Sequence, residues 1–217
     1  TEEGMGYVLE RRVFDRELAN RAGKAGAEVR VSACATGLVF DGDRPCGVNI
    51  LTRGRESTVR CKVVIAADGV ESRVARWAGI KPLIALRDLE VTTQYLLDNV
   101  VTDKGFCEFF VGNEVAPGGY AWIFPKTADT ANVGIGVCGR YTRQRSSTDY
   151  LHAFIEQRFP DSTPLAMVVG SVPVAATLKD IVGDGIMVVG DAAHQVNPVS
   201  GGGIGTAMIA GEIAGRI

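Results

Sequence analysis

Gly185-Ile186-Met187-Val188-Val189-Gly190-Asp191-Ala192-Ala193-His194-Gln195-Val196-Asn197-Pro198-Val199-Ser200-Gly201-Gly202-Gly203-Ile204-Gly205 reads in three pieces. Ile186 to Val189 is a short continuous apolar run, the pattern of a strand buried on both faces. Gly190-Asp191 closes it. A glycine-rich loop then leads into an apolar helical run from Ile204 onward. Glycines placed immediately before a helix let the backbone pass close to a ligand and leave amide N–H groups and the positive helix end directed at it. Such an end stabilises an anion, or a ring system that gathers negative charge on reduction. A flexible surface loop is the plain alternative, yet loops of that kind seldom sit between a buried strand and an apolar helix.

The same pattern occurs upstream. Val63-Val64-Ile65-Ala66-Ala67 is a short apolar run ending at Asp68-Gly69, again read as a strand buried on both faces. In α/β sheets ligands bind at the carboxyl ends of strands, where an aspartate can accept hydrogen bonds from sugar-like hydroxyls. On local chemistry alone either aspartate reads as a helix cap or turn residue. Before this strand the spacing of Phe14, Leu18, Ala22 and Ala25 predicts a helix over 13–25 stopped by Gly26. Glu28 to Val31 alternates, and the runs Cys46–Leu51 and Thr58–Lys62 flank a polar turn as a hairpin. Between Leu83 and Leu178 the character changes. Strand-like pieces at 90–97, 106–111, 120–124, 132–137 and 167–174, with a helix at about 148–159, predict a mainly antiparallel sheet inserted into the first unit. The expected division is 1–80 and 179–217 for one discontinuous unit, and 81–178 for the insertion.

Composition narrows the function. The 217 residues carry 23 basic and 25 acidic side chains, a net charge of −2, which speaks against a nucleic-acid partner held by phosphate electrostatics. With 46% hydrophobic and 22% charged residues the chain is globular rather than disordered. Its 27 glycines are about 12% against a usual level of about 7%, without repeat or period. No apolar stretch reaches the roughly 20 residues of a spanning helix. The opening Thr1-Glu2-Glu3-Gly4-Met5-Gly6 lacks a basic and an apolar region, so a cytoplasmic location is expected, with peripheral membrane contact left open. Five scattered cysteines and two histidines suggest neither a disulfide framework nor a metal centre. No G-x-G-x-x-G follows a strand near the start, and the reading is of part of a longer protein.

Tyr120-Ala121-Trp122-Ile123-Phe124-Pro125 sets three aromatic rings at period two, on one face of a strand; pattern alone favours a packed core face. One histidine beside one aspartate, His194 near Asp191, makes no triad, and Ser200 lacks a nucleophile elbow. Arg140, Arg143 and Arg145 read as a solvated face, with attraction to anionic lipid headgroups a lesser reading. No catalytic residue is assigned.

These motifs together carry a resemblance. Gly190-Asp191 with Pro198-x-x-Gly201-x-Gly203, Ala66-Ala67-Asp68-Gly69-Val70-Glu71-Ser72-Arg73, and Arg11-x-x-Phe14-x-x-x-Leu18 resemble the FAD-dependent oxidoreductases of the p-hydroxybenzoate hydroxylase fold group. Within it the Tyr-x-Trp-x-Phe-Pro strand is similar to that of the geranylgeranyl reductase family. The resemblance implies an α/β (α+β) fold: a discontinuous FAD-binding domain of the p-hydroxybenzoate hydroxylase/glutathione reductase type, with an inserted, mainly antiparallel substrate domain. It implies FAD as cofactor, with Asp191 on the ribityl chain, Gly203 and Ile204 presenting amides to the flavin's pyrimidine edge, and Pro198 and Gly201 shaping the loop. It also implies Arg11 and Ala35 at the nucleotide, Asp68 and Gly69 near the pyrophosphate, and Tyr120, Trp122 and Phe124 around an isoprenoid chain. The implied activity is reduction of prenyl-lipid double bonds, with electrons from NAD(P)H or a ferredoxin-type donor. An aromatic monooxygenase on the same scaffold and a non-catalytic lipid-binding module are the alternatives.

Overall fold

The computed structural model describes residues 7–103 and 105–217; the expectation drawn from residues 1–6 lies outside the described residues. Helix α1 (Arg11–Lys24) carries Arg21 and Lys24 in its last turn, where cations suit the helix dipole, and Gly26 follows at φ +98°. A three-stranded antiparallel meander comes next: β1 (Ala33–Asp41), β2 (Arg44–Thr52) and β3 (Arg55–Arg60). The β2–β3 turn is the two residues Arg53 and Gly54, both at positive φ, the backbone twist that tight hairpins favour. The alternation at Glu28–Val31 forms no strand, and pairing begins at Ala33.

Strand β4 (Val64–Ala66) leads into the short helix α2 (Arg73–Trp77). Five antiparallel strands then form one sheet in the order β6-β7-β8-β5-β9. They are β5 (Leu89–Asp98), β6 (Glu108–Val111), β7 (Tyr120–Pro125), β8 (Ala131–Cys138) and β9 (Thr163–Pro173). Helix α3 (Ser147–Arg158) precedes β9 and starts at a capping box between Ser146 and Asp149; such a box satisfies two orphan donors at once. It covers one face of the sheet. Leu151 and Phe154 meet Leu97, Ala121, Ile123, Val133, Ile135 and Val137 there, and these residues form the main core.

The chain then returns to β4. Strands β10 (Val182–Gly183) and β11 (Ile186–Val188) make a small sheet in the order β10-β11-β4, with β11 parallel to β4 and Val188 opposite Ala66. Segments far apart in sequence share this second core of Val64, Ala66, Val74, Ala75, Ile186, Val188, Ala192 and Ala193. The first unit is therefore discontinuous. Val64 and Ala66 are buried, but Ile65 between them is 46% exposed; among the described residues β4 is covered on one face, not both. A 3₁₀ turn (Gly190–Ala193) and the glycine-rich loop lead into helix α4 (Ile204–Arg216). None of the described helices is long and apolar enough to cross a membrane.

Candidate functional site

Because β4 and β11 are parallel, their carboxyl ends emerge side by side, and both acidic turns sit at one edge. The turns differ in what holds them. At Asp68 the carboxylate is engaged: Oδ1 accepts from the Ser72 hydroxyl at 2.5 Å, and Oδ2 accepts from the Arg73 and Val74 amides at 2.8 and 3.0 Å. The side chain seals the start of α2, with Ser72 Oγ in turn accepting from the Ala75 amide. Gly69, at φ +83°, shapes the turn between them.

Asp191 is half-buried, and no side-chain hydrogen bond acts on it among the described residues. Burial pushes its carboxyl above the usual carboxylate range, while the charges of Arg11 and His194 pull it back. Arg11, expected at the cofactor, is thus brought within electrostatic reach of Asp191. Its guanidinium also pairs with Asp15 one helical turn on, at 3.0 Å. A Lys126–Glu10 ion pair of 2.7 Å anchors the start of α1 to the end of β7. Ala35 packs beside Leu38 and Val48 against the second core.

The glycine-rich loop is more closed than its composition suggests. Asn197 organises it: its Oδ1 accepts from the Val199 and Ser200 amides, its carbonyl from Gly201, and its own amide donates to the Gly202 carbonyl. The Gly202 amide donates to Ser200 Oγ. The amides left without partners among the described residues are those of Gly203, Ile204, Gly205 and Thr206, the first turn of α4, as expected of helix starts. A Cβ built on Gly203 would lie 3.1 Å from Asp191 Oδ1. The open start of α4 and the Asp191 carboxylate therefore lie close together, and a side chain at residue 203 would crowd the carboxylate. These residues fit a ligand that offers hydroxyls to Asp191 and an electron-rich edge to the α4 amides, which are the ribityl and pyrimidine portions of FAD. Gly201, at φ +64°, gives no free amide. A Cβ there would stand 3.3 Å from the Tyr120 hydroxyl, which donates to the Ser200 carbonyl. Pro198 is exposed.

That Tyr120 contact joins the loop to the five-stranded sheet and corrects the pattern-based reading of β7. Ala121 and Ile123 face α3 and are fully buried. Tyr120, Trp122 and Phe124 occupy the other face, half-buried, in edge-on and stacked contacts with one another and with Phe109 of β6. The floor beneath them is glycine. A Cβ on Gly134 would come within 2.3 Å of the Trp122 ring; without one, the indole crosses β8 and donates from Nε1 to Gln94 Oε1 of β5 at 3.0 Å. Asn197, Gln94, Gly134 and Gly136 escaped the sequence reading, although glycines at period two opposite an aromatic strand were a legible signal. The site thus consists of an aromatic, glycine-floored lane ending at a loop, an open helix start and an unpaired carboxylate.

His194 is buried, and its Nε2 has no partner among the described residues; burial holds its ring below the usual histidine range. Arg140 and Arg145 lie over Tyr141 and Tyr150. Among the described residues no acidic, cysteine and histidine cluster could hold a metal ion. An apolar trough of about 530 Å³ beside α4, lined by Ile181, Met187, Ile209 and Ile213, has no titratable lining residue.

A small mixed sheet with two parallel strands ending in acidic turns, interrupted by an antiparallel sheet that meets them through Tyr120, is the fold of FAD-dependent oxidoreductases of the p-hydroxybenzoate hydroxylase type. A flavin-dependent brominase superposes with a TM-score of 0.75 at 20% identity, over 97% of this chain and 57% of the other. The chain is similar to the geranylgeranyl reductase family. Residues 88–172 match the geranylgeranyl reductase catalytic domain. The digeranylgeranylglycerophospholipid reductase 2 of Methanococcoides burtonii is 50% identical over 213 residues, covering 98% of this chain and 52% of that protein. That of Methanosarcina acetivorans is 50% identical over 214 residues, covering 98% and 53%. A geranylgeranyl bacteriochlorophyll reductase-like structure from Thermoplasma acidophilum superposes with a TM-score of 0.93 at 38% identity, over 100% of this chain and 56% of that one. The chain spans about half the length of the curated relatives it matches.

Proposed function

We propose that this chain carries the flavin-edge and substrate regions of an FAD-dependent reductase that saturates isoprenoid carbon–carbon double bonds in prenyl lipids. The observation that carries the reading is the unpaired Asp191 carboxylate beside the open start of α4, at the end of the aromatic lane. In this reading Asp191 accepts from a ribityl hydroxyl, and the Gly203 and Ile204 amides meet the pyrimidine edge. Arg11 faces the phosphates, which suit a guanidinium, and Ala35 and Gly69 border the nucleotide. Asp68 keeps the neighbouring turn in shape rather than touching the cofactor. Bound and reduced, FAD would supply the hydride. Tyr120, Trp122 and Phe124 hold the prenyl chain straight and keep water from it. The functional division follows as 1–80 with 179–217 for the flavin and 81–178 for the lipid, and delivery of such a lipid implies peripheral contact with a membrane surface.

The test is anaerobic photoreduction of the flavin-loaded protein in its full length, followed by a digeranylgeranyl lipid and mass measurement of the product. A gain of two hydrogens per bond supports the reading. An added oxygen atom under air replaces it with a monooxygenase, and a colourless protein that binds lipid replaces it with a binding module. Mixing the oxidised protein with NAD(P)H or a reduced ferredoxin in turn identifies the electron donor.

A further inference from the structure

Alternation along β5 puts Thr93 and Leu97 against α3 and turns Glu90, Thr92 and Gln94 to the aromatic lane. Gln94 is held there by Trp122. Glu90 sits one step from the loop end of the lane, its carboxyl laid over two glycines: a Cβ on Gly136 would be 2.7 Å from Oε2, and one on Gly119 3.2 Å from Oε1. The side chain is half-buried, and burial pushes its carboxyl above the usual carboxylate range, with neither hydrogen bond nor counter-charge acting on it among the described residues. Its titratable neighbours are Tyr120 of β7, whose phenol is itself pushed up by burial and by the charge of Glu90, and its β8 partner Cys138, whose thiol faces the Leu86 and Arg87 carbonyls. On β9 the residue opposite is Val172, with Gly170 opposite Thr92. A lone acid in an apolar lane, unneeded for the fold's hydrogen bonding, stabilises nothing in its charged form. Its neutral form costs little there and carries a proton.

Resting on the reductase reading above, we propose that Glu90 is the proton donor to the prenyl double bond. Saturation adds a hydride to one alkene carbon. The π electron pair shifts to the other carbon and takes the proton from Glu90, so that the carboxyl O–H bond breaks as the second C–H bond forms. The two electrons come with the hydride from the reduced flavin, and the Glu90 carboxylate left behind regains its proton from water. Tyr120, beside Glu90 and bonded to the loop, is a positioning residue that fixes where the lane meets the turn.

The experiment compares wild type, Glu90→Gln and Glu90→Asp, all flavin-loaded and in full length, with a digeranylgeranyl lipid under anaerobic reduction. Loss of a general acid predicts a fall in the saturation rate of about 10²-fold or more for Glu90→Gln, partial recovery for Glu90→Asp, and unchanged flavin content in both. The wild-type rate should fall as pH rises through the Glu90 titration, a limb that Glu90→Gln lacks. Infrared difference spectra of lipid-free protein give a second reading: the stretch of a protonated carboxylic acid should persist over a pH range above the ordinary glutamate value of about 4.3 and vanish in Glu90→Gln. A wild type that saturates the lipid beside an equally fast Glu90→Gln, or a Glu90 that is ionised throughout that range, overturns the Glu90 assignment alone. A wild type that saturates no prenyl double bond overturns the reductase reading beneath it.

Discussion

Asp68 and Asp191 stand in like positions with unlike surroundings. Each follows a three-residue strand, each strand is parallel to the other, and each turn precedes a helix. Yet Asp68 accepts three hydrogen bonds from Ser72, Arg73 and Val74, whereas the carboxylate of Asp191 receives none from the described residues. The difference lies in the distance to the next helix. Helix α2 begins five residues after Asp68, close enough for its amides to reach back, while α4 begins thirteen residues after Asp191, with the Asn197 loop between. A carboxylate that is satisfied locally supports the turn. One left unsatisfied and half-buried beside open amides is costly to the unliganded protein, and that cost is what a ligand relieves.

Three substitutions would break or sharpen this contrast. The largest effect is expected from Asp191→Ala in the flavin-loaded protein: loss of a charged acceptor costs about 1.5–3 kcal/mol, which is about a ten- to 150-fold rise in the Kd for FAD. Thermal melting of the flavin-free form should show no accompanying loss. Flavin retained at wild-type affinity would remove Asp191 from the cofactor site. Asp68→Ala should do the opposite, lowering folding stability by about 1–2 kcal/mol, as the loss of a helix cap does, with FAD affinity nearly unchanged once the protein is folded; urea midpoints and flavin titration read the two quantities separately. Ser72→Ala, which keeps the carboxylate but removes its hydroxyl donor and the Ala75 cap, should cost about 1 kcal/mol. A larger loss from Ser72→Ala than from Asp68→Ala would mean that the serine, not the carboxylate, organises the turn.

Much of this arrangement was legible beforehand. The apolar runs at 63–67 and 186–189, the hairpin, the interrupting antiparallel sheet and the two acidic turns all follow from periodicity and turn chemistry. Strand β1 was hidden because its run of Ala33, Cys34, Ala35 and Gly37 has little of the branched or aromatic character that marks strands. The outward orientation of β7 was hidden for another reason. Period two says that Tyr120, Trp122 and Phe124 share a face but not which face a helix will cover. Here α3 takes the face with the branched and small residues, and glycines of β8 make room for the rings on the other. The contrast between the two aspartates lay outside any local pattern, since it depends on where the neighbouring amides point once α2 and α4 are in place.

The smallest expected effect tests the cost of leaving Asp191 unsatisfied. Its carboxyl is raised in the folded state, chiefly by burial, so between the unfolded and folded values the native protein binds more protons than the unfolded chain. Stability from this residue therefore falls as pH rises through that interval and stays lower above it. Asp191→Asn removes the ionisable group while keeping its shape. The flavin-free variant should unfold at a slightly higher urea concentration than wild type at pH 7, and the two should converge below about pH 4, where aspartate is protonated in either state. Added FAD should reverse the order at pH 7, because wild type gains more binding energy than the variant. If Asp191→Asn instead melts earlier at pH 7 without flavin, the carboxylate is supporting the turn much as Asp68 does, and the distinction between the two aspartates fails.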